Sequence, residues 1–130
     1  EAAGFRPCQR CRPNEAPLAE RHASVVAHAC RLIEERAAIS EKASDRMLDI
    51  LHKQRFRSGI PAGLPEEARV ANKTGEMSTV AHDGGIVYIE GRRPYVLVVL
   101  TEWENGGDGR QATIARISRA IYEYMCEGAE

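Results

Sequence analysis

Residues 95–101 read YVLVVLT, and this run constrains the chain more than any other stretch in it. A strand without polar alternation fits a position covered on both faces or inside a sheet, so it is not expected at a natural sheet edge. Upstream, residues 84–90 and 69–74 are rich in β-branched or aromatic side chains. Glycine-bearing turns separate the segments, notably EGRRP before Tyr95. Consecutive antiparallel strands over 69–74, 84–90 and 94–101 follow from that pattern.

Helices flank the strands. Leu18, His22, Val25, Val26, Ala29, Cys30, Ile33 and Ala37 recur at helical spacing, which predicts a helix over about 17–36 with Pro17 in its first turn. Ser40 reads as the N-cap of a second helix over about 41–55, where Glu41 favours the dipole and Ala43, Met47, Ile50 and Leu51 form the stripe. Ile114, Ile117, Ile121 and Met125 mark a terminal helix over about 109–126. RFRSGIPAGLPEE, with its glycines and prolines, reads as an extended connection, and residues 1–16 as an irregular segment. The expected fold is α+β in the order α-α-β-β-β-α, a three-stranded antiparallel sheet packed against helices, with residues 17–130 as one domain.

A chain of 130 residues, 43% hydrophobic and 28% charged, can bury a core without cross-links. Its net charge of −1 does not favour nucleic-acid binding, although Arg6, Arg10 and Arg12 cluster. No apolar run reaches membrane-spanning length, and the first residues lack a signal-peptide core, so a soluble protein of a reducing compartment, or of recombinant expression, is expected. Among Cys8, Cys11, Cys30 and Cys126 only the first two are close in sequence.

Four segments together carry a resemblance: ISEKASDRMLDIL, IPAGLPEEARVANKTGE, HDGGIVYIEGRRPYVLVVLT and IARISRAIYEYM. Residues from about 39 to 125 resemble the C-terminal part of class A β-lactamase-like serine hydrolases. Residues from about 2 to 35, with AAGFRPCQRCRPNEAP and VAHACRLIEE, resemble a different family. They are similar to the end of the methylphosphotriester-repair zinc domain, and the helix after it, of adaptive-response DNA-repair regulators. Two unrelated sources joined near residues 35–39 imply a chimera.

The hydrolase resemblance implies that Lys73 and Thr74 bind a substrate carboxylate and that Gly75 keeps the strand open beside the ligand. That chemistry also needs a Ser-x-x-Lys nucleophile. Ser24, Ser40, Ser44, Ser58, Ser78 and Ser118 are followed at the third position by Ala27, Ala43, Met47, Pro61, Ala81 and Ile121. None has the lysine, Ser44-Asp45-Arg46 is no Ser-Asp-Asn, and His82-Asp83 reads as part of a strand turn. The expectation is a scaffold that is not an enzyme. β-Lactam binding at Lys73-Thr74-Gly75 is an alternative.

The repair-domain resemblance implies a zinc held by four thiolates, of which Cys8 and Cys11 match only the second pair. No cofactor is therefore expected. Zinc recruited with His22, His28 or Cys30, or nucleic-acid binding, is the alternative. Cys30 reads as a packed thiol, and Cys126 as a surface thiol at a helix end.

The parental sheet, as the hydrolase resemblance implies it, has five strands, and the one matching YVLVVLT lies between the strand matching GGIVYIE and the first strand of the chain. Without that neighbour, Tyr95, Val96, Leu97, Val98, Val99, Leu100 and Thr101 would form an open edge, a template for another chain. A homodimer with a six-stranded sheet is the expected remedy. The helix over 17–36 is expected beside the terminal helix, with Leu32 and Ile33 among its anchors.

Overall fold

The computed structural model describes residues 15–104 and 109–127. Its elements run α1 (Leu18–Glu34), α2 (Glu41–His52), a 3₁₀ turn (Ile60–Gly63), β1 (Arg69–Glu76), β2 (Val80–Tyr88), β3 (Tyr95–Glu102) and α3 (Arg110–Glu127). The strands form one antiparallel sheet in the order β1-β2-β3. The α+β class and the helix-helix-strands-helix order are those expected. No described helix is long and apolar enough to cross a membrane.

Alternation along the strands divides the core. Val70, Ala81, Val87, Leu97 and Val99 face one side and close over Ile60 and Ile114, joining the sheet to the 3₁₀ turn and α3. The opposite face carries Ala71, Gly84 and Ile86 and is covered by α1 and α2. His52 of α2 bonds through Nδ1 to the Val70 carbonyl at 2.9 Å, and its ring lies 5.4 Å from that of Tyr88.

This layering corrects two expectations. Helix α1 lies across the sheet from α3, where it packs on β2 and β3, rather than beside it. No residue of α1 is fully buried, and Leu32 and Ile33 are half-buried. The connection over 55–67 is not wholly extended, because Ile60 turns inward as a fully buried core residue within the 3₁₀ turn.

Strand β2 starts at Val80, four residues before the expected boundary, so His82 and Asp83 belong to the strand and not to a turn, while Gly84 and Gly85 lie in the strand as expected. Packing explains the glycines. A Cβ on Gly85 would stand 2.7 Å from the Ala71 carbonyl oxygen, and one on Gly84 3.0 Å from Val26 Cγ1 of α1. Close approach inside a strand and a turn use the same residue type.

The link between the first helices follows from their caps. Arg36 N–H donates to the Ile33 carbonyl at 3.2 Å and Ala37 N–H to the Leu32 carbonyl at 2.8 Å, a Schellman closure with Arg36 at φ 58°. Ser40 Oγ then accepts from Ala43 N–H at 3.2 Å, the expected N-cap. Between them Ile39 sits at φ 61° and is 91% exposed, a β-branched residue in left-handed backbone with no burial to offset it. Ile39→Gly is expected to stabilise the fold by about 1 kcal/mol, the left-handed penalty less glycine's extra chain entropy. A thermal melt checks it; an unchanged or lower midpoint contradicts it.

Candidate functional site

Strand β1 is an edge strand, and its register decides what it presents. Met77 N–H donates to the Val80 carbonyl at 3.0 Å, so the paired positions continuing from Met77 are Gly75, Lys73 and Ala71. By the antiparallel alternation, the backbone groups of Asn72, Thr74 and Glu76 point away from the sheet. Side chains alternate the other way, with Lys73 and Gly75 on one face and Thr74 on the other. Of the motif residues Thr74 alone turns its backbone groups to the outer rim, while the Lys73 and Gly75 side positions share the face that α1 and α2 cover. Lys73 Nζ folds onto that rim and donates to the Thr74 carbonyl.

Gly75 differs from the glycines of β2. The nearest atom a Cβ there would meet is His82 Cβ at 3.9 Å, ordinary contact. Packing does not demand glycine at this position.

The rim is braced from beneath. Arg110, in the first turn of α3, donates through Nη1 to the carbonyls of Met77 at 2.7 Å and Ser78 at 2.8 Å, and its Nη2 lies 3.3 Å from Glu76 Oε1. Gln111 Nε2 donates to Glu76 Oε2 at 3.2 Å. Opposite Thr74 in the ladder lies Asp83, fully buried. Its Oδ2 accepts from Ile60 N–H at 2.8 Å, and its Oδ1 accepts from Asn72 Nδ2 at 3.0 Å. One carboxylate thus ties β2 to β1 and to the 3₁₀ turn. Burial pushes the Asp83 carboxyl up, while hydrogen bonds from Asn72, Ile60 and Gly84 and the charge of Lys73 pull it down, with a net rise.

The motif made Lys73, Thr74 and Gly75 visible in sequence, but Glu76, Arg110 and the bracing role of Asp83 were not. The DGG triplet was a usable signal, since two glycines after a buried acid indicate crowding inside a strand. Cys8 and Cys11 lie outside the described residues. Cys30 is half-buried on α1, and burial pushes its thiol up. Cys126 is half-buried rather than on the surface. His22 and His28 are both exposed on α1.

The opposite rim is β3. Trp103 N–H donates to the Thr79 carbonyl at 2.8 Å, which extends the β2–β3 ladder and pairs Tyr95, Leu97, Val99 and Thr101 towards β2. The outward groups therefore belong to Val96, Val98, Leu100 and Glu102. The edge expected over 95–101 exposes only these alternate residues. Among the described residues no other strand pairs with it.

Comparison with known proteins gives this arrangement its context. A model of the β-lactamase enzyme family matches residues 12–125, reaching well upstream of the expected junction and through α1. A PBP-A mutant solved as an acyl-enzyme complex with penicillin G is 26% identical, with a TM-score of 0.73 over 78% of this chain and 39% of that one. A class A β-lactamase from Mycobacterium abscessus is 27% identical, with a TM-score of 0.71 over 78% of this chain and 40% of that one. A separate similarity runs to the bifunctional transcriptional activator/DNA repair enzyme Ada of Escherichia coli, 43% identical over 42 residues, 32% of this chain and 12% of that protein. Both expected resemblances are found, and they fit a fragment or a chimeric make-up.

One expectation falls. The reading that the chain is not an enzyme is overturned by the family match and the class A neighbours, which point to a hydrolase, here represented in part. Searching the chain for a complete nucleophile motif tests for a whole site, whereas family membership can rest on one wall of it. With its Lys-Thr-Gly strand, sheet and helices matched from residue 12 to 125, the chain belongs to the β-lactamase enzyme family, and spans less than half the length of the solved structures it resembles.

Proposed function

We propose that this chain supplies the Lys-Thr-Gly wall of a serine-hydrolase site for β-lactams and related carboxylate-bearing acyl compounds. Lys73 and the Thr74 hydroxyl hold the substrate carboxylate by charge-assisted hydrogen bonds. The outward N–H of Glu76 is a donor for the oxyanion that develops on the acyl group. The Ser-x-x-Lys element that completes the chemistry comes from outside these 130 residues. The observation that carries the reading is the rim itself, where an ammonium rests over an unpaired strand edge beside a glycine that packing does not require.

Complementation tests it. Mixing the chain with the separately produced nucleophile-bearing half of a class A β-lactamase should hydrolyse a chromogenic cephalosporin faster than either part alone. Lys73→Ala should lower that rate about 10- to 100-fold, the loss of one hydrogen bond to a charged group. A mixture no faster than the nucleophile-bearing half alone contradicts the proposal.

A second reading concerns assembly. The outward groups of Val96, Val98 and Leu100 favour strand addition by another copy of the chain, making a self-associating scaffold of fragments from two sources.

A further inference from the structure

We infer that two copies of the chain join through β3 in one antiparallel register, with Val98 on the twofold axis. The inference rests on the self-association reading and adds the contact, its register and the chemistry that selects it. Only even-numbered residues of β3 turn their backbone groups outward, so a partner strand must pair even with even. With Val98 opposite Val98 of the partner, Val96 lies opposite Leu100 and Leu100 opposite Val96. Every outward group of the apolar run then finds a mate.

The next pair in this register places Glu102 opposite Pro94. Pro94 has a carbonyl but no N–H, so the Glu102 N–H is matched and no donor of Pro94 is orphaned. Sliding the partner by two residues one way sets Leu100 opposite Pro94, outside the strand, and sliding it the other way sets the apolar Val96 opposite the charged Glu102.

Charge selects the same direction. Arg92 and Arg93 precede the strand, and Glu102 and Glu104 end it. Antiparallel pairing sets each basic end against the acidic end of the partner, whereas parallel pairing would set arginine against arginine. Arg93 and Glu102 are both exposed.

Helix α1 extends the surface. Leu18 and His22 line a hollow with Leu100 and Glu102 at the end of β3, which places this flank of the helix over the edge. Leu18 is 60% exposed and Val25, two turns on, is 67% exposed. A twofold axis perpendicular to the sheet brings both α1 helices to the same face, where these side chains meet as an apolar seam beside the paired strands.

Sedimentation equilibrium of the 130-residue chain is the test, and the expected mass is twice 14.4 kDa. Val98→Pro removes an outward N–H without touching the β2 ladder and should give a monomer with native far-UV circular dichroism. Arg93→Glu and Glu102→Arg should each weaken the dimer at least about tenfold, because each places like charges together twice per dimer. The double variant should recover most of the loss. If Val98→Pro fails to fold, the charge series decides alone. A wild-type monomer, with the edge covered by the chain's own N-terminal residues or left open, overturns both the inference and the self-association reading. A dimer indifferent to all of these changes overturns the inference alone and moves the contact to another surface.

Discussion

Gly63→Ala is expected to destabilise the fold by about 3 kcal/mol or more, lowering the melting midpoint by on the order of 10 °C. A Cβ at this position would stand 2.0 Å from the Ala115 carbonyl oxygen, 2.9 Å from the Ala115 carbonyl carbon and 3.0 Å from the Arg119 nitrogen. All three atoms are backbone of α3, so no rotamer relieves the overlap. The 3₁₀ turn would have to leave the helix, taking Ile60 out of the core and breaking the 3.0 Å bond that Ser118 Oγ donates to the Ile60 carbonyl. Gly75→Ala is the matched control. It meets nothing closer than 3.9 Å, so its midpoint should stay within a few degrees of wild type or rise. Equal losses from both substitutions would contradict the division between a glycine the fold needs and one it does not.

The second large effect lies at Asp83. Asp83→Ala strands the Ile60 N–H and the Asn72 side-chain amide in a buried site, at a cost of about 3 kcal/mol. Asp83→Asn should cost much less at neutral pH, because the new carbonyl can accept from Ile60 while Asn72 turns its amide to accept from the new N–H. The carboxyl is held above its ordinary value, so the folded state keeps a proton that the unfolded chain releases. Its contribution is fully present below the unfolded value near 3.8 and is lost as pH rises through the raised folded value. The stability of wild type relative to Asp83→Asn should therefore fall across that interval and flatten above it. Denaturant unfolding of both proteins from pH 4 to pH 8 measures this. A difference that grows with pH would show that hydrogen bonds and Lys73 outweigh burial.

Much of the fold was legible because local patterns and packing agreed. Ser40 was readable as a cap and proved to be one, and the apolar stripe from Leu18 to Ala37 marked α1 to within a few residues. What stayed hidden depended on contacts distant in sequence. Gly84 and Gly85 read as strand residues, but why they must be glycine is seen only with Val26 and Ala71 against them. The stripe of α1 predicts that one side is buried, but not which face of the sheet receives it. Ile60 looked like loop because a buried residue between glycine and proline has no periodicity to reveal it.

The site divides in the same way. Lys73-Thr74-Gly75 is a motif and can be found by eye, but which of its groups reach the rim depends on the parity of the β1–β2 ladder, set by the short turn after Glu76. The same parity argument halves the open edge of β3. Sequence could show that 95–101 is apolar on both sides, and only the register tells which of its peptide groups are spent on β2.

The most direct test of the central claim, that the outer rim of β1 is half of a hydrolase site, is a ¹⁵N–¹H NMR titration of the chain with benzylpenicillin. The account predicts saturable shifts confined to the amides of Lys73, Thr74, Gly75 and Glu76 and their ladder partners, abolished in Lys73→Ala. Shifts centred elsewhere, or none at ligand concentrations that saturate weak carboxylate binding, would contradict it.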